Sequence, residues 1–182
     1  MRRMDDLLAV LWFFVPAYLA NMSPVLVKGR FERLAVPIDA GRTWRGRRIL
    51  GDHKTWRGIV AGVVTGIVVA GVQRLVHAAG WVDGLALVDY ATLWFPVGFL
   101  QGLGTGVGDA VKSFCKRQID IAPGHSWIGF DQLDFMVGAY AFVSLVYVPP
   151  LAAWLLALPV VLVGSIAVTA TGWALGLKES WI

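Results

Sequence analysis

The chain has 182 residues, of which 57% are hydrophobic and only 15% charged, and its mean hydropathy is +0.66. A soluble domain is about 45–50% apolar and about 25% charged. The composition therefore excludes a disordered or collagen-like chain, and the single cysteine, Cys115, excludes a disulfide scaffold. The remaining class is an all-α, polytopic integral membrane protein, and at about 20 residues per span the length accommodates about five transmembrane helices in one membrane-embedded domain over 1–182. A net charge of +4 fits the basic loops of such a protein better than a nucleic-acid surface.

Arg2 and Arg3 precede an apolar stretch without a small-residue cleavage site, so that stretch reads as a retained span rather than a secretory signal. The first span is expected over Leu7 to Val27, with Pro16 and Pro24 inside it. A hydrophilic segment from Lys28 to Arg57 carries nine Lys and Arg against Glu32, Asp39 and Asp52. The second span is expected over Gly58 to Ala79, and the third over Tyr90 to Val111, its helix continuing to about Arg117. A second polar loop runs from Gln118 to Gly129, and a fourth span from Phe130 to Val148. Pro149-Pro150 forms a turn, and a last apolar stretch, Leu151 to Leu177, contains Pro159 and ends at Lys178-Glu179.

Lys and Arg in short loops set membrane orientation. The Lys28–Arg57 segment and the Lys112–Arg117 cluster fall on one side of a five-span chain. This predicts two basic cytoplasmic loops, the N-terminus outside and the C-terminus inside.

Gly58, Gly62, Gly66 and Ala70 form one row of small residues at four-residue spacing, and Gly98, Gly102 and Gly106 another. Such rows let membrane helices approach closely, and they also let a ligand reach the backbone. Asn21, among apolar neighbours, fits either an interhelical hydrogen bond or a place lining a site.

The second row leads into Gly108-Asp109-Ala-Val-Lys112-Ser113-Phe-Cys-Lys116-Arg117. Helical spacing puts Asp109, Lys112, Ser113 and Lys116 on one face. Ionisable groups at this depth are expensive and suggest function. Asp131 and Asp134 form a second acidic pair where the fourth span begins. Asp131 suits a helix N-terminus, whereas Asp134 lies deeper, beside Phe135 and Met136. Adjacent carboxylates need a cation between them. Asp109, Asp131 and Asp134 suit Mg²⁺ held together with substrate phosphates, or a structural Asp–Lys network.

Gly51-Asp-His53-Lys54-Thr55-Trp-Arg57-Gly58 reads as an anion cradle at a helix start, or as a headgroup anchor. It is not a Walker A loop, and Gly102–Gly108 is not a dinucleotide fingerprint, because Val107 occupies the third glycine position. No two histidines have zinc-helix spacing.

Ser113-Phe-Cys-Lys116-Arg117, then Pro123-Gly124-His125 and Asp131-Gln-Leu-Asp134, resembles the signature of the phosphatidate cytidylyltransferase family. The short chain and its Gly51–Gly58 stretch are most similar to the archaeal branch. Gln132 stands where an arginine is usual, and Ser126-Trp127 where a Gly-Gly is usual. The resemblance implies Mg²⁺-dependent reaction of CTP with an isoprenoid ether-lipid phosphate at the cytoplasmic face of the cell membrane, with release of pyrophosphate.

It further implies that Asp109, Asp131 and Asp134 hold the metal and, with Lys116, carry catalysis. Lys54, Arg57, Lys112, Lys116 and Arg117 would then neutralise phosphates. Thr55 and Ser113 would donate hydrogen bonds to them, and Gly58 and His125 would line the substrate site. A CDP-alcohol phosphotransferase is the rival enzyme, but its Asp-Gly-x-x-Ala-Arg motif is absent. A transporter subunit is the non-enzymatic rival, and it would place polar groups deep in several spans.

Overall fold

Pro16 divides the first apolar segment in two. In the computed structural model, which describes residues 2–121, 125, 127 and 129–174, α1 spans Arg2–Phe13 and α2 spans Val15–Leu26. The expected loop residues Pro123, Gly124 and Ser126, and the chain end beyond 174, lie outside the described residues. Pro16 has no N–H for the Trp12 carbonyl. Gln73 Nε2 donates to that carbonyl instead, at 2.6 Å. Gln101 bridges the next break: its Oε1 accepts from Ala17 N at 3.2 Å and its Nε2 donates to Phe13 O at 2.9 Å. Both glutamines are buried, so neighbouring helices satisfy backbone groups that water cannot reach.

The remaining helices are α3 (Trp56–Ala78), α4 (Tyr90–Gln118), α5 (Phe130–Val143) and α6 (Leu151–Ala174). A two-stranded antiparallel hairpin, β1 (Thr43–Trp44) with β2 (Arg47–Arg48), interrupts the first polar segment. The all-α expectation holds with this small exception. Met4–Leu26 and Trp56–Ala78, 23 residues each, are long and apolar enough to cross a bilayer. Each is about 34 Å long against a hydrocarbon core of about 30 Å.

The helix expected over Phe130 to Val148 is shorter, ending at Val143. Ser144 Oγ turns back to the Tyr140 carbonyl at 2.7 Å, and a turn leads into Pro149-Pro150, where no helix can continue.

Helix α4 is central because it has glycine on two faces. Gly98 and Gly102 lie against the backbone of Gly62 and Gly66 in α3, so a Cβ on either would collide with a carbonyl. On the other face Gly104 and Gly108 meet Gly138 and the Asp134 carbonyl of α5. The expected packing rows are therefore real, and a third row joins them. Gly106 continues the α3–α4 seam, where it faces the Ile59 side chain of α3 rather than a glycine. A cluster including Val10, Phe13, Phe14, Val97, Phe135, Met136, Val143 and Trp154 fills the opposite side, between α1, α2, α4, α5 and α6.

Candidate active site

Contact between Gly108 and the Asp134 backbone sets the distance between the two acidic helices. It brings Asp109 of α4 and Asp131 and Asp134 of α5 around one ammonium. Lys112 Nζ lies 3.0 Å from Asp109 Oδ1, 3.2 Å from Asp131 Oδ1 and 2.9 Å from Asp134 Oδ2. Lys54, from the first polar segment, pairs with Asp109 Oδ2. Lys116 Nζ holds Asp131 Oδ2 at 3.0 Å and donates to the His125 carbonyl. Three carboxylates and three ammoniums thus balance near the C-terminal end of α4.

The carboxylate oxygens fit magnesium by donor chemistry. They are not gathered into a ready-made metal cluster among the described residues, because Lys112 stands where they converge.

A cavity of about 470 Å³ opens beside the cluster. Arg47, Arg48, Lys54, Lys112, Lys116 and Arg117 line it, with only Asp52 and Asp120 as acids among the described residues. Ser113 lines it too, and Arg117 Nε is buried without a hydrogen-bond partner among the described residues. Such a wall attracts a highly charged anion.

A buried carboxylate organises the loop that delivers Lys54. Asp39, whose side chain is 1% exposed, accepts from Gly41 N at 3.1 Å and from Arg48 Nη2 at 3.0 Å through Oδ1. Its Oδ2 accepts from Leu50 N at 2.9 Å and Gly51 N at 3.1 Å. Burial alone would raise its pKa. The N–H groups of Leu50, Gly51 and Gly41 and the Arg48 guanidinium outweigh it and hold the carboxyl well below the usual range. Gly51 takes a positive φ of 102° at this turn, where glycine is favoured. Ile38 N then donates to Lys54 O at 2.8 Å, and Trp56 N to Val36 O at 3.1 Å. Asp39 was not singled out among the sequence candidates. Its signal is a lone acid followed by Ala40-Gly41 ahead of an arginine cluster.

The expected residues do not all meet. Lys54, Asp109, Lys112, Lys116, Asp131 and Asp134 form one network. Arg57 turns aside to Glu32 at 3.0 Å and the Arg30 carbonyl at 2.9 Å. Thr55 is the N-cap of α3, its Oγ1 accepting from Gly58 N at 3.3 Å. That bond and the Trp56 N–H bond already occupy part of the first turn, so the helix start is not an open anion cradle. His125 enters the network through its carbonyl oxygen rather than its ring.

A membrane-embedded helical protein with a balanced Asp–Lys cluster beside a strongly cationic cavity is built to handle phosphate groups at a bilayer. Comparison with known proteins narrows this class. The chain belongs to the family described as CarS-like, CDP-archaeol synthase, whose model matches residues 3–182. It is 39% identical over 158 residues to the CDP-archaeol synthase of Pyrococcus furiosus, covering 86% of this chain and 87% of the relative. It is 40% identical over 182 residues to that of Halorubrum lacusprofundi, covering 93% and 94%. A solved intramembrane enzyme for archaeal membrane lipid biosynthesis matches with a TM-score of 0.71 and 30% identity, over 87% of this chain and 91% of that one. Membership in this family makes the chain a membrane enzyme of lipid biosynthesis, a CTP-dependent lipid cytidylyltransferase.

Proposed function

We propose that the chain transfers the cytidylyl group of CTP to an isoprenoid ether-lipid phosphate, giving CDP-archaeol and pyrophosphate. The observation that carries this reading is the cationic cavity joined to the Asp109–Lys112–Asp131–Asp134 network. CTP enters from the cytoplasm and its triphosphate lies against Lys116 and Arg117. Five spans, with both basic loops inside, the N-terminus outside and the C-terminus inside, would put this cavity at the cytoplasmic surface.

A lipid phosphate oxygen attacks the α-phosphorus of CTP. The bond from that phosphorus to the bridging oxygen of the β-phosphate breaks, and pyrophosphate leaves with the electron pair. The nucleophile is already ionised, so no general base is needed, and catalysis is positioning with charge neutralisation. Asp109, Asp131 and Asp134 would hold Mg²⁺ arriving with the triphosphate. Bound there, the ion would neutralise charge on the phosphates. Lys54 and Lys112 keep the carboxylates paired in its absence and are placed to turn to phosphate oxygens. Ser113 and Thr55 retain hydroxyl protons to donate.

Purified protein should release pyrophosphate only when CTP, Mg²⁺ and a digeranylgeranylglyceryl phosphate are all present. Pyrophosphate release independent of the lipid would overturn the reading.

A further inference from the structure

Two substrates need two entrances, one from water and one from the bilayer. A second cavity, of about 250 Å³, lies between α2, α3 and α4. Asn21 and Pro24 border it from α2, Gly58 and Gly62 from α3, and Thr105 and Asp109 from α4. His53 and Lys54 line both this cavity and the large cationic one. Lys54 therefore stands between the two.

Beside the second cavity lies a groove of about 380 Å³ whose lining is wholly apolar, including Trp56, Leu103, Val107 and Phe114. Ile38, Ile59 and Ala110 belong to both. Gly106, on the wall of the second cavity, packs directly against the Ile59 side chain, which a Cβ there would strike.

Thr105 is the feature that packing does not explain. It is 3% exposed, and its Oγ1 has no hydrogen-bond partner among the described residues. A helical threonine can bond back to a carbonyl one turn earlier. Thr105 instead lines the cavity with its hydroxyl unsatisfied, which is costly unless a ligand oxygen completes it.

We propose that the α2–α3–α4 cavity receives the phosphoglycerol head of the lipid substrate, with Thr105 as its buried hydrogen-bonding residue, and that the adjoining groove takes an isoprenoid chain. This rests on the cytidylyltransferase reading above. An amphiphile matches a cavity with a few polar groups beside an apolar slot that shares its wall. A nucleoside triphosphate matches the six-cation cavity on the other side of Lys54. The arrangement brings the lipid phosphate to Lys54 from the bilayer side and the α-phosphorus of CTP from the water side, so the two meet at the Asp109 end of α4.

The test is steady-state kinetics of the full chain in detergent, with lipid and CTP varied separately. Thr105→Val should raise KM for digeranylgeranylglyceryl phosphate about tenfold, leave KM for CTP and Mg-CTP-dependent thermal stabilisation unchanged, and be rescued by Thr105→Ser. Val107→Phe, which narrows the groove, should raise the ratio of KM for that lipid to KM for a short-chain dialkylglyceryl phosphate. Thermal stabilisation by Mg-CTP reports that each variant is folded.

A rise in KM for CTP with Thr105→Val would assign the cavity to the nucleotide. An unchanged lipid KM, or an unchanged chain-length ratio in Val107→Phe, would equally overturn the proposal. Wild-type protein that turns over neither lipid would overturn the cytidylyltransferase reading itself, a separate outcome.

Discussion

Lys112 Nζ lies 2.9 Å from Asp134 Oδ2, and the same nitrogen reaches Asp109 and Asp131. One ammonium therefore ties α4 to α5 where the chemistry is proposed. Removing it leaves three carboxylates short of a cation. Lys112→Ala should lower stability by about 3–5 kcal/mol, the usual consequence of breaking a buried pair. It should also reduce turnover at least about 100-fold. Thermal unfolding and turnover of the same preparation check both effects.

Asp134 is the most deeply buried of the three acids, at 7% side-chain exposure. Asp134→Asn keeps an acceptor for Lys112 but removes the charge. Folded protein should be retained while turnover falls at least about 100-fold. Near-normal activity would take Asp134 out of the site.

Gly138 and Gly104 pack backbone to backbone. Gly138→Ala must push α5 from α4 and move Asp131 and Asp134 away from Asp109. A misplacement of about 1 Å can cost about 100-fold in rate. Turnover should fall by that order, with KM for CTP raised as well.

Gln101 serves two backbone groups that the Pro16 break leaves open. Gln101→Leu strands both, at about 1–3 kcal/mol each. The thermal midpoint should drop, while turnover per folded molecule at low temperature stays near wild type. An unchanged midpoint would mean that the α1–α2 junction does not need the bridge.

Asp39 predicts a pH dependence. Its folded-state pKa is depressed, so its contribution is complete above the unfolded carboxylate value of about 4. The contribution is lost as pH falls below that value toward the folded pKa. Protection of the Arg42–Arg48 hairpin against amide hydrogen exchange, corrected for the intrinsic rate at each pH, should fall as pH drops below about 4 and return at neutral pH. Asp39→Asn should be weakly protected at every pH. Equal protection of wild type and variant at neutral pH would contradict the role given to Asp39.

Much of this was legible from pattern alone. Unbroken hydropathy marks α3, and the charged face from Asp109 to Lys116 shows that α4 outlasts the apolar run. The convergence of Asp109, Asp131 and Asp134 follows from residue type and spacing once the third and fourth spans are neighbours. Asp39 was hidden because its role depends on a hairpin that folds its partners around it, and one of three scattered acids among nine cations carries no periodicity. The Gly104–Gly108–Gly138 row was hidden because its members lie on two helices. Arg57 misled because composition cannot tell a cation facing a cavity from one facing Glu32. The early end of α5 reflects Ser144 and the diproline, which hydropathy does not register.

The most direct measurement follows the fate of α-labelled CTP incubated with the purified protein, Mg²⁺ and digeranylgeranylglyceryl phosphate. Label should appear in the lipid fraction in equal amount to pyrophosphate released, and Asp134→Asn should abolish both. Label recovered as CMP, with none in the lipid, would contradict cytidylyl transfer at this site.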